Sequence, residues 1–413
     1  MEIYIDNYKG FSDTIIPLRN VNFLVGENST GKTAVLNLLE LITEPGFWFC
    51  PDFNSDNIEL GYFSEMVNQN SQNKKFFSIG ANIENENKEN ETCQYIWMKF
   101  KEKDSAPVVS EFKFIFENKD VYCQVSEKEV VYQKKNHRSV SFLEWVRDFK
   151  GFSKGNTVSI GRLPLFGMIR KAVEDDMMGG KLQNRYVTFS GTFNRIFWIA
   201  PIRAKARRWY ESYLTSYSPE GSHVPQLLKR YKDLKSTRFK VFRESLNEFG
   251  KNSGLFDEVV VQDEKSENPF SICVKYGKLC VNIANAGYGI SQVLPLVVEM
   301  LRLKGESFAI QQPEVHLHPK AQSAFGELVY KVVSKNKNKV IIETHSEYLI
   351  NRFRYNVKKG KNKIDAQVLF FSRDEKGIHI DEMPIDSKGQ YDGEIPQEFE
   401  SFFLEEELKM LEI

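Results

Sequence analysis

Hydrophobic and polar positions along the chain fall into two rhythms. Near the start, Ile3-Tyr4-Ile5, Thr14-Ile15-Ile16-Pro17-Leu18 and Val21-Asn22-Phe23-Leu24-Val25 are short apolar runs set between polar residues, and they predict two or three strands. The stretch Ala34-Val35-Leu36-Asn37-Leu38-Leu39-Glu40-Leu41-Ile42 then changes to helical spacing. An aromatic loop, Gly46-Phe47-Trp48-Phe49, reads as core. From about 58 to 135, segments such as Tyr95-Ile96-Trp97-Met98-Lys99-Phe100 and Phe112-Lys113-Phe114-Ile115-Phe116 alternate with period two and predict antiparallel strands. The polar run from Asn82 to Glu91 between them reads as a solvated turn.

The middle, about 138–250, is more helical: Phe142 to Phe149 and the run from Pro225 onward both carry helical periodicity. Ile196-Phe197-Trp198-Ile199-Ala200, ended by Pro201, reads as a strand of a central sheet. From about 255, strands and helices alternate. The short apolar runs Ser307–Ile310, Lys339–Glu343 and Ala366–Phe371 suit a parallel sheet covered on both faces. Phe399 to Ile413 predicts an acidic amphipathic helix, and no internal repeat is present. This pattern predicts an α/β chain with a mixed central sheet. Its expected parts are an N-terminal lobe over 1–135 bearing an antiparallel β subdomain, a mainly helical insertion over 136–255, and a C-terminal lobe over 256–413.

Composition narrows the partners. Lys+Arg and Asp+Glu both total 56 in 413 residues, so net charge gives no global attraction to DNA or anionic membranes. Any nucleic-acid contact must be a local patch. Two basic clusters are candidates: Arg203, Lys205, Arg207 and Arg208, and then Lys229, Arg230, Lys232, Lys235, Arg238, Lys240 and Arg243. A solvated helix face with internal pairs to residues such as Asp233 and Glu244 is the plainer explanation, because aromatics are not regularly interleaved. Five cysteines without a C-x-x-C pair suit reduced thiols in a cytoplasm. The start lacks signal-peptide character, and no apolar run approaches the ~18 residues of a membrane span.

One stretch carries specific chemistry. The predicted strand Val21–Val25 runs into Gly26-Glu27-Asn28-Ser29-Thr30-Gly31-Lys32-Thr33, and Ala34 opens the helix. Strand, glycine-bounded loop, Lys-Thr and helix are the context of a P-loop. Backbone N–H groups of Asn28 to Ala34 can face phosphate oxygens, Lys32 can reach the terminal phosphates, and the Thr33 hydroxyl can enter a Mg²⁺ shell. The pattern predicts binding of a nucleoside triphosphate, ATP with Mg²⁺.

Three later segments refine this. Asn285-Ala286-Gly287-Tyr288-Gly289-Ile290-Ser291-Gln292, before an apolar helix, can present N–H groups to a phosphate or form a plain helix cap. Phe308-Ala309-Ile310-Gln311-Gln312-Pro313-Glu314 stands where a Walker B element belongs. His316 and His318 follow it, but two prolines fix a bent loop and no further ligands accompany them, which argues against zinc. Finally, the strand Ile341-Ile342-Glu343 delivers Thr344, His345 and Ser346 to its C-terminal end, where ligands of open α/β sheets bind. His345 can sense a γ-phosphate or position water.

Together these residues resemble the ABC-type ATPase heads of the SMC/RecF/OLD branch, especially compact AAA-type ATPases of bacterial anti-phage systems, including the ATPase subunits of Septu-like systems. The resemblance implies an ABC-head P-loop fold and a homodimer or higher homo-oligomer with composite ATP sites. In it, Asn285, Gly287, Gly289 and Ser291 of one subunit would complete the site of Lys32 and Thr33 of another. It also implies a catalytic set of Gln311, Gln312, Glu314 and His345, with Thr33 and Gln311 at the metal. About 65 residues follow the His345 strand, too few for a Toprim nuclease, so the expected effector nuclease is a separate chain. The family carries an acidic residue where this chain has Gln311, and an amide cannot act as general base or offset metal charge. Three readings stand open: slow hydrolysis by an ATP-gated clamp, participation of Glu314, or a Glu→Gln replacement that traps ATP. A RecF-like DNA-repair ATPase and a non-hydrolysing scaffold are the alternative functions.

Overall fold

The computed structural model describes residues 1–44, 46–54, 58–82, 95–116, 118–138, 140–148, 155–159, 196–211, 213, 216–232, 237–263, 269–375, 377–399 and 401–402. The predicted turn after Asn82, Asp233, Lys235 and most of the C-terminal helix lie outside these residues. In chain order come β1 (Glu2–Asp6), β2 (Thr14–Pro17), β3 (Val21–Gly26), α1 (Lys32–Thr43) and α2 (Phe63–Met66). Next are β4 (Phe76–Asn82), β5 (Tyr95–Lys103), β6 (Ala106–Phe116), β7 (Lys119–Val125), β8 (Glu129–Asn136), α3 (Phe142–Arg147) and β9 (Asn156–Ser159). After them follow β10 (Ile196–Ile199), α4 (Val224–Lys232), α5 (Thr237–Ser253), β11 (Glu258–Asp263), β12 (Phe270–Tyr276) and β13 (Leu279–Asn282). The last are α6 (Tyr288–Arg302), β14 (Ser307–Gln311), α7 (Pro319–Asn336), β15 (Lys339–Glu343), α8 (Glu347–Lys359), β16 (Ala366–Asp374) and β17 (Gly377–Ile385).

The chain forms two compact units that do not follow its order. One comprises 1–18, 28–195 and 372–380; the other comprises 19–27, 196–371 and 381–413. The first holds an eight-stranded antiparallel sheet, ordered β2-β1-β4-β5-β6-β7-β8-β9, as the period-two alternation predicts. One of its apolar clusters is aromatic. Phe53 lies 5.6 Å from Phe77 and 5.0 Å from Phe100, and Phe47 and Trp48 of the aromatic loop are buried as expected.

The expected central sheet has the order β10-β14-β15-β3-β16-β17, of which the first five are parallel; β10, β14 and β15 lie in the second unit. Strand β17 follows β16 after two residues and neighbours it, which only an antiparallel hairpin allows, so the sheet is mixed. Its two faces differ. Val21, Phe23, Val25, Phe308, Ile310, Val340 and Ile342 belong to a core shared with α5 to α8. The intervening residues of the same strands, Asn22, Leu24, Ala309, Gln311, Ile341 and Glu343, point to the opposite face by the alternation of strand side chains. The sequence reading did not separate β11, β12 and β13, a small antiparallel sheet preceding the strand–helix alternation. Val259, Val260 and Val261 carry the β-branched signal for it. No helix among the described residues is long and apolar enough to cross a membrane. The four described cysteines are unpaired.

Candidate functional site: the P-loop and the strand ends of the central sheet

Strand β3 is wholly buried and ends at Gly26, whose φ of 144° lies in a region L side chains rarely adopt. A Cβ there would also stand 2.1 Å from the Phe371 carbonyl of the neighbouring β16, so glycine is required twice over. Ser29 (φ 64°) and Gly31 (φ 92°) are also left-handed, and such reversals turn successive N–H groups to one side. Gly31 is the N-cap of α1 and offers no side-chain acceptor, and no acidic residue occupies the first turn. The cap residue itself thus leaves the N-terminal N–H groups and the positive end of the helix dipole to other partners. Lys32 is buried, 3% exposed, with Nζ 3.4 Å from the Thr30 hydroxyl, whereas Asn28, Ser29 and Thr33 are exposed and Ala34 is intermediate. A helix start with glycine at its N-cap, a left-handed loop, a lysine and an accessible threonine hydroxyl fit a Mg²⁺-bound triphosphate.

A second group lies at the C-terminal ends of β14 and β15. Gln311 ends β14 in register with Glu343, which ends β15 and is in register with Leu24 of β3. Gln312 turns the chain with φ 43° before Pro313, and its N–H donates to the Glu343 carbonyl at 2.8 Å. Glu314 faces back: one carboxylate oxygen accepts from the Thr344 hydroxyl at 2.8 Å and the other from the His345 N–H at 2.7 Å. Burial pushes the Glu314 carboxyl above its ordinary range, opposed by these bonds and by the charge of Arg203. Ser346 caps α8 through the Leu349 N–H at 3.1 Å and donates to Gln322 at 2.6 Å. The half-buried His345 ring lies 6.0 Å from Phe402. Thus Glu314 ties the Walker B-like turn to the Thr344–Ser346 loop.

The Asn285–Gln292 segment meets the same turn. Gly289 is in the first turn of α6, where a Cβ would stand 2.5 Å from the His316 carbonyl, and the Tyr288 and His316 rings pack edge-on at 4.7 Å. Asn285 and Gly287 are exposed; Ser291 is buried and its hydroxyl donates to the Tyr288 carbonyl at 2.7 Å. His316 is an exposed turn residue and His318 caps α7 through Nδ1 at 3.3 Å. No metal-holding His/Cys/Asp/Glu cluster occurs among the described residues.

Arg203 requires a correction. It is not on a DNA-facing surface: it is 2% exposed, its Nη2 donates to the Gln311 carbonyl at 2.9 Å, and its Nε and Nη1 are buried without acceptors. Burial lowers its pKa to about 10, opposed by the charge of Glu314. Its backbone N–H also donates to Gln292 Oε1 of α6 at 3.3 Å, so it links α6 to the end of β14. Lys205, Arg207 and Arg208 remain exposed. The other basic cluster is partly a paired face, with Lys240 3.9 Å from Glu244 and Lys229 3.6 Å from Asp263. The residue that the sequence reading passed over is Glu343, 4% exposed; only strand register sets it beside Gln311.

The chain is similar in part to several known proteins. The chain is 26% identical over 162 residues to the OLD nuclease of Thermus scotoductus, covering 37% of this chain and 31% of that protein. It therefore spans about a third of that relative's length. Among solved structures, an SMC head bound to the C-terminal winged-helix domain of ScpA shares 12% identity over 93% of this chain and 98% of its own, at a TM-score of 0.46. An SMC head with an extended coiled coil, bound to the C-terminal domain of ScpA derived from Pyrococcus furiosus, shares 11% over 100% and 98%, at 0.43. The sequence model of the AAA ATPase domain matches residues 1–152 and 204–350. With the P-loop on β3 and a match over most of its length, the chain belongs to the AAA ATPase domain family.

Proposed function

We propose that this protein is an ATP-binding, slowly hydrolysing ATPase that dimerises around ATP and controls a separate effector, a nuclease, in defence against phage. The observation that carries the reading is the contrast at the strand ends. The P-loop carries Lys32 and Thr33 for a triphosphate, yet β14 ends in the neutral Gln311, followed by the neutral Gln312. Phosphoryl transfer depends mainly on positioning and on charge placed against the developing oxyanion. Without a carboxylate on β14, the nucleotide is held longer than it is cleaved, which suits a clamp whose closed state is the signal. Gly289 and Ser291 sit on the helix that touches the Walker B-like turn, so closure against a second subunit would bear on that turn. The nuclease partner and the defence role rest on the resemblance to OLD-type and Septu-like ATPases. Turnover assays on the chain and on Gln311→Glu test the reading. Faster hydrolysis in the Glu variant, with slow but measurable turnover in the natural chain, is expected; no nucleotide binding in either sinks it.

A second reading, direct contact with single-stranded DNA, is favoured by one observation. Lys205, Arg207, Trp209 and Tyr213 line a cleft of about 640 Å³, and Trp209 and Tyr213 are 48% and 64% exposed. Cations beside exposed rings suit phosphates and stacked bases. Salt-sensitive binding of an oligonucleotide, weakened by Trp209→Ala and by charge reversal at Arg207 and Arg208, supports it; unchanged affinity in those variants removes it.

A further inference from the structure

The parallel strands β14, β15, β3 and β16 begin at one edge of the central sheet, since Ser307 stands in register with Lys339, Val340 with Val21, and Val21 with Ala366. These strand starts, with the loops that lead into them, all belong to the second compact unit. Backbone bonds lace the loops together. The N–H of Gly305 donates to the Asn336 carbonyl at 2.8 Å and that of Lys339 to Glu306 at 2.9 Å. Val340 donates in the same way to Asn20 at 2.8 Å, and Val21 to Asp365 at 3.2 Å.

Lysines crowd this edge. Lys304 lies in the loop into β14, Lys337 in the loop into β15, and Lys361 and Lys363 in the loop into β16. All four are exposed, and none makes an ion pair among the described residues. Lys335, Lys358 and Lys359 occupy the last turns of α7 and α8, where cations offset the helix dipole. That effect fades beyond the last turn and does not account for Lys304, Lys361 and Lys363. The acidic residues of the same loops are Glu306 and Asp365, and Asp365 is engaged by Arg19 at 2.6 Å. In a chain of zero net charge this is a local excess of positive charge. Lysine is a point charge on a long stem, suited to phosphates spaced along a backbone rather than to forked recognition of one group. The entry loops carry no aromatic residue on which an unpaired base could stack. From β14 to β16 is three strand spacings, roughly 14 Å. The B-form major groove is ~12 Å wide, so lysines at the two ends of the row can reach phosphates on both of its sides. The A-form major groove is too narrow for that. We propose that this edge of the sheet binds the phosphate backbone of double-stranded DNA without regard to sequence. The surface shares no residue with the cleft of Trp209 and Tyr213, and the proposal does not depend on the nucleotide reading.

The test is fluorescence anisotropy of a labelled, mixed-sequence DNA duplex with the full chain, repeated across a series of salt concentrations. One protein combines Lys304→Gln, Lys361→Gln and Lys363→Gln. It is expected to bind about tenfold or more weakly at low salt, with the slope of log affinity against log salt reduced by about 2–3. The matching Lys→Arg protein keeps the charge and should keep both affinity and slope. Should the triple Gln variant melt lower than the natural chain, Lys361→Gln with Lys363→Gln decides alone, with an expected slope change of about 2. Charge reversal at Arg207 and Arg208 is expected to leave duplex binding unchanged. The proposal is overturned by an unchanged slope in the folded Gln proteins, or by equal loss in the Arg protein. It is also overturned by loss of duplex binding on reversal at Arg207 and Arg208, or by a natural chain that prefers polyglutamate or duplex RNA to duplex DNA.

Discussion

Replacing Gly326 by alanine sets two physical effects against each other. Gly326 lies in the middle of α7, with α8 packed across it. In an exposed helix interior, Gly→Ala is worth about 1 kcal/mol of added stability through backbone entropy. Here a Cβ would stand 2.2 Å from the Leu349 carbonyl, 3.0 Å from its carbon and 3.3 Å from Arg352 Cβ. Relieving the first contact to an ordinary ~3.3 Å requires α8 to shift by about 1 Å, and overpacking of that kind costs typically ~1–3 kcal/mol, occasionally more. The atom struck is backbone, three residues beyond Ser346, so no rotamer change avoids it. We expect a net loss of ~1–2 kcal/mol and a melting temperature lower by a few degrees, with hydrogen exchange faster in the first turn of α8. Because Ser346 joins α8 to Gln322 of α7 at 2.6 Å, the shift also moves His345, and turnover should fall with it. Thermal and urea unfolding decide the matter by sign. A stabilised variant would mean that helix propensity wins and that α7 and α8 do not approach so closely.

Three further outcomes are expected. Gly289→Ala pushes α6 off the His316 carbonyl and should reduce turnover more than it reduces stability, measured by steady-state hydrolysis beside a melting curve. Glu299 is buried, and although burial raises its carboxyl, the bonds from His223 at 3.0 Å and Arg302 at 2.5 Å outweigh that and hold it below its ordinary range. Its contribution is therefore present above the ordinary carboxylate pKa and is lost as pH falls through the depressed one. Glu299→Gln should cost ~3 kcal/mol at neutral pH and less in acid, by urea unfolding at several pH values. Glu314 has the opposite sign: its raised carboxyl favours folding below the ordinary pKa, and that advantage is lost as pH rises through the folded one. Thr344→Val removes a donor to the charged form, so its cost of ~1–3 kcal/mol should grow with pH, and a pH-independent cost would refute the assignment.

The parts of this site differ in how far the sequence discloses them. The P-loop was legible because its chemistry is contiguous: one strand, eight residues and one helix carry every group. The strands β14, β15 and β16 were legible because buried parallel strands are nearly continuous apolar runs. The place of Glu343 beside Gln311 was not, because it depends on which strand lies beside which and in what register, and neither is a local property. Arg203 misled for a related reason. It shares a run with three exposed cations, but its own bonds to the Gln311 carbonyl and to Gln292 Oε1 hold it inside. Charge alone does not reveal which members of a run are drawn inside.

Strand β3 has a consequence for how the protein is made. It enters the central sheet between β15 and β16, and Leu24 pairs in register with Glu343, roughly 320 residues later. Closing a loop of that length is entropically costly, and at ribosomal rates of ~5–20 residues per second the partners of β3 appear tens of seconds after it. Until then the strand that launches the P-loop has neither neighbour, and its glycine Gly26 has no Phe371 backbone to lie against. Competence to bind nucleotide is thus a property of the finished chain. A nascent or truncated copy ending before β15 is expected to bind nucleotide poorly at the P-loop, so translation itself sets when the P-loop can be occupied.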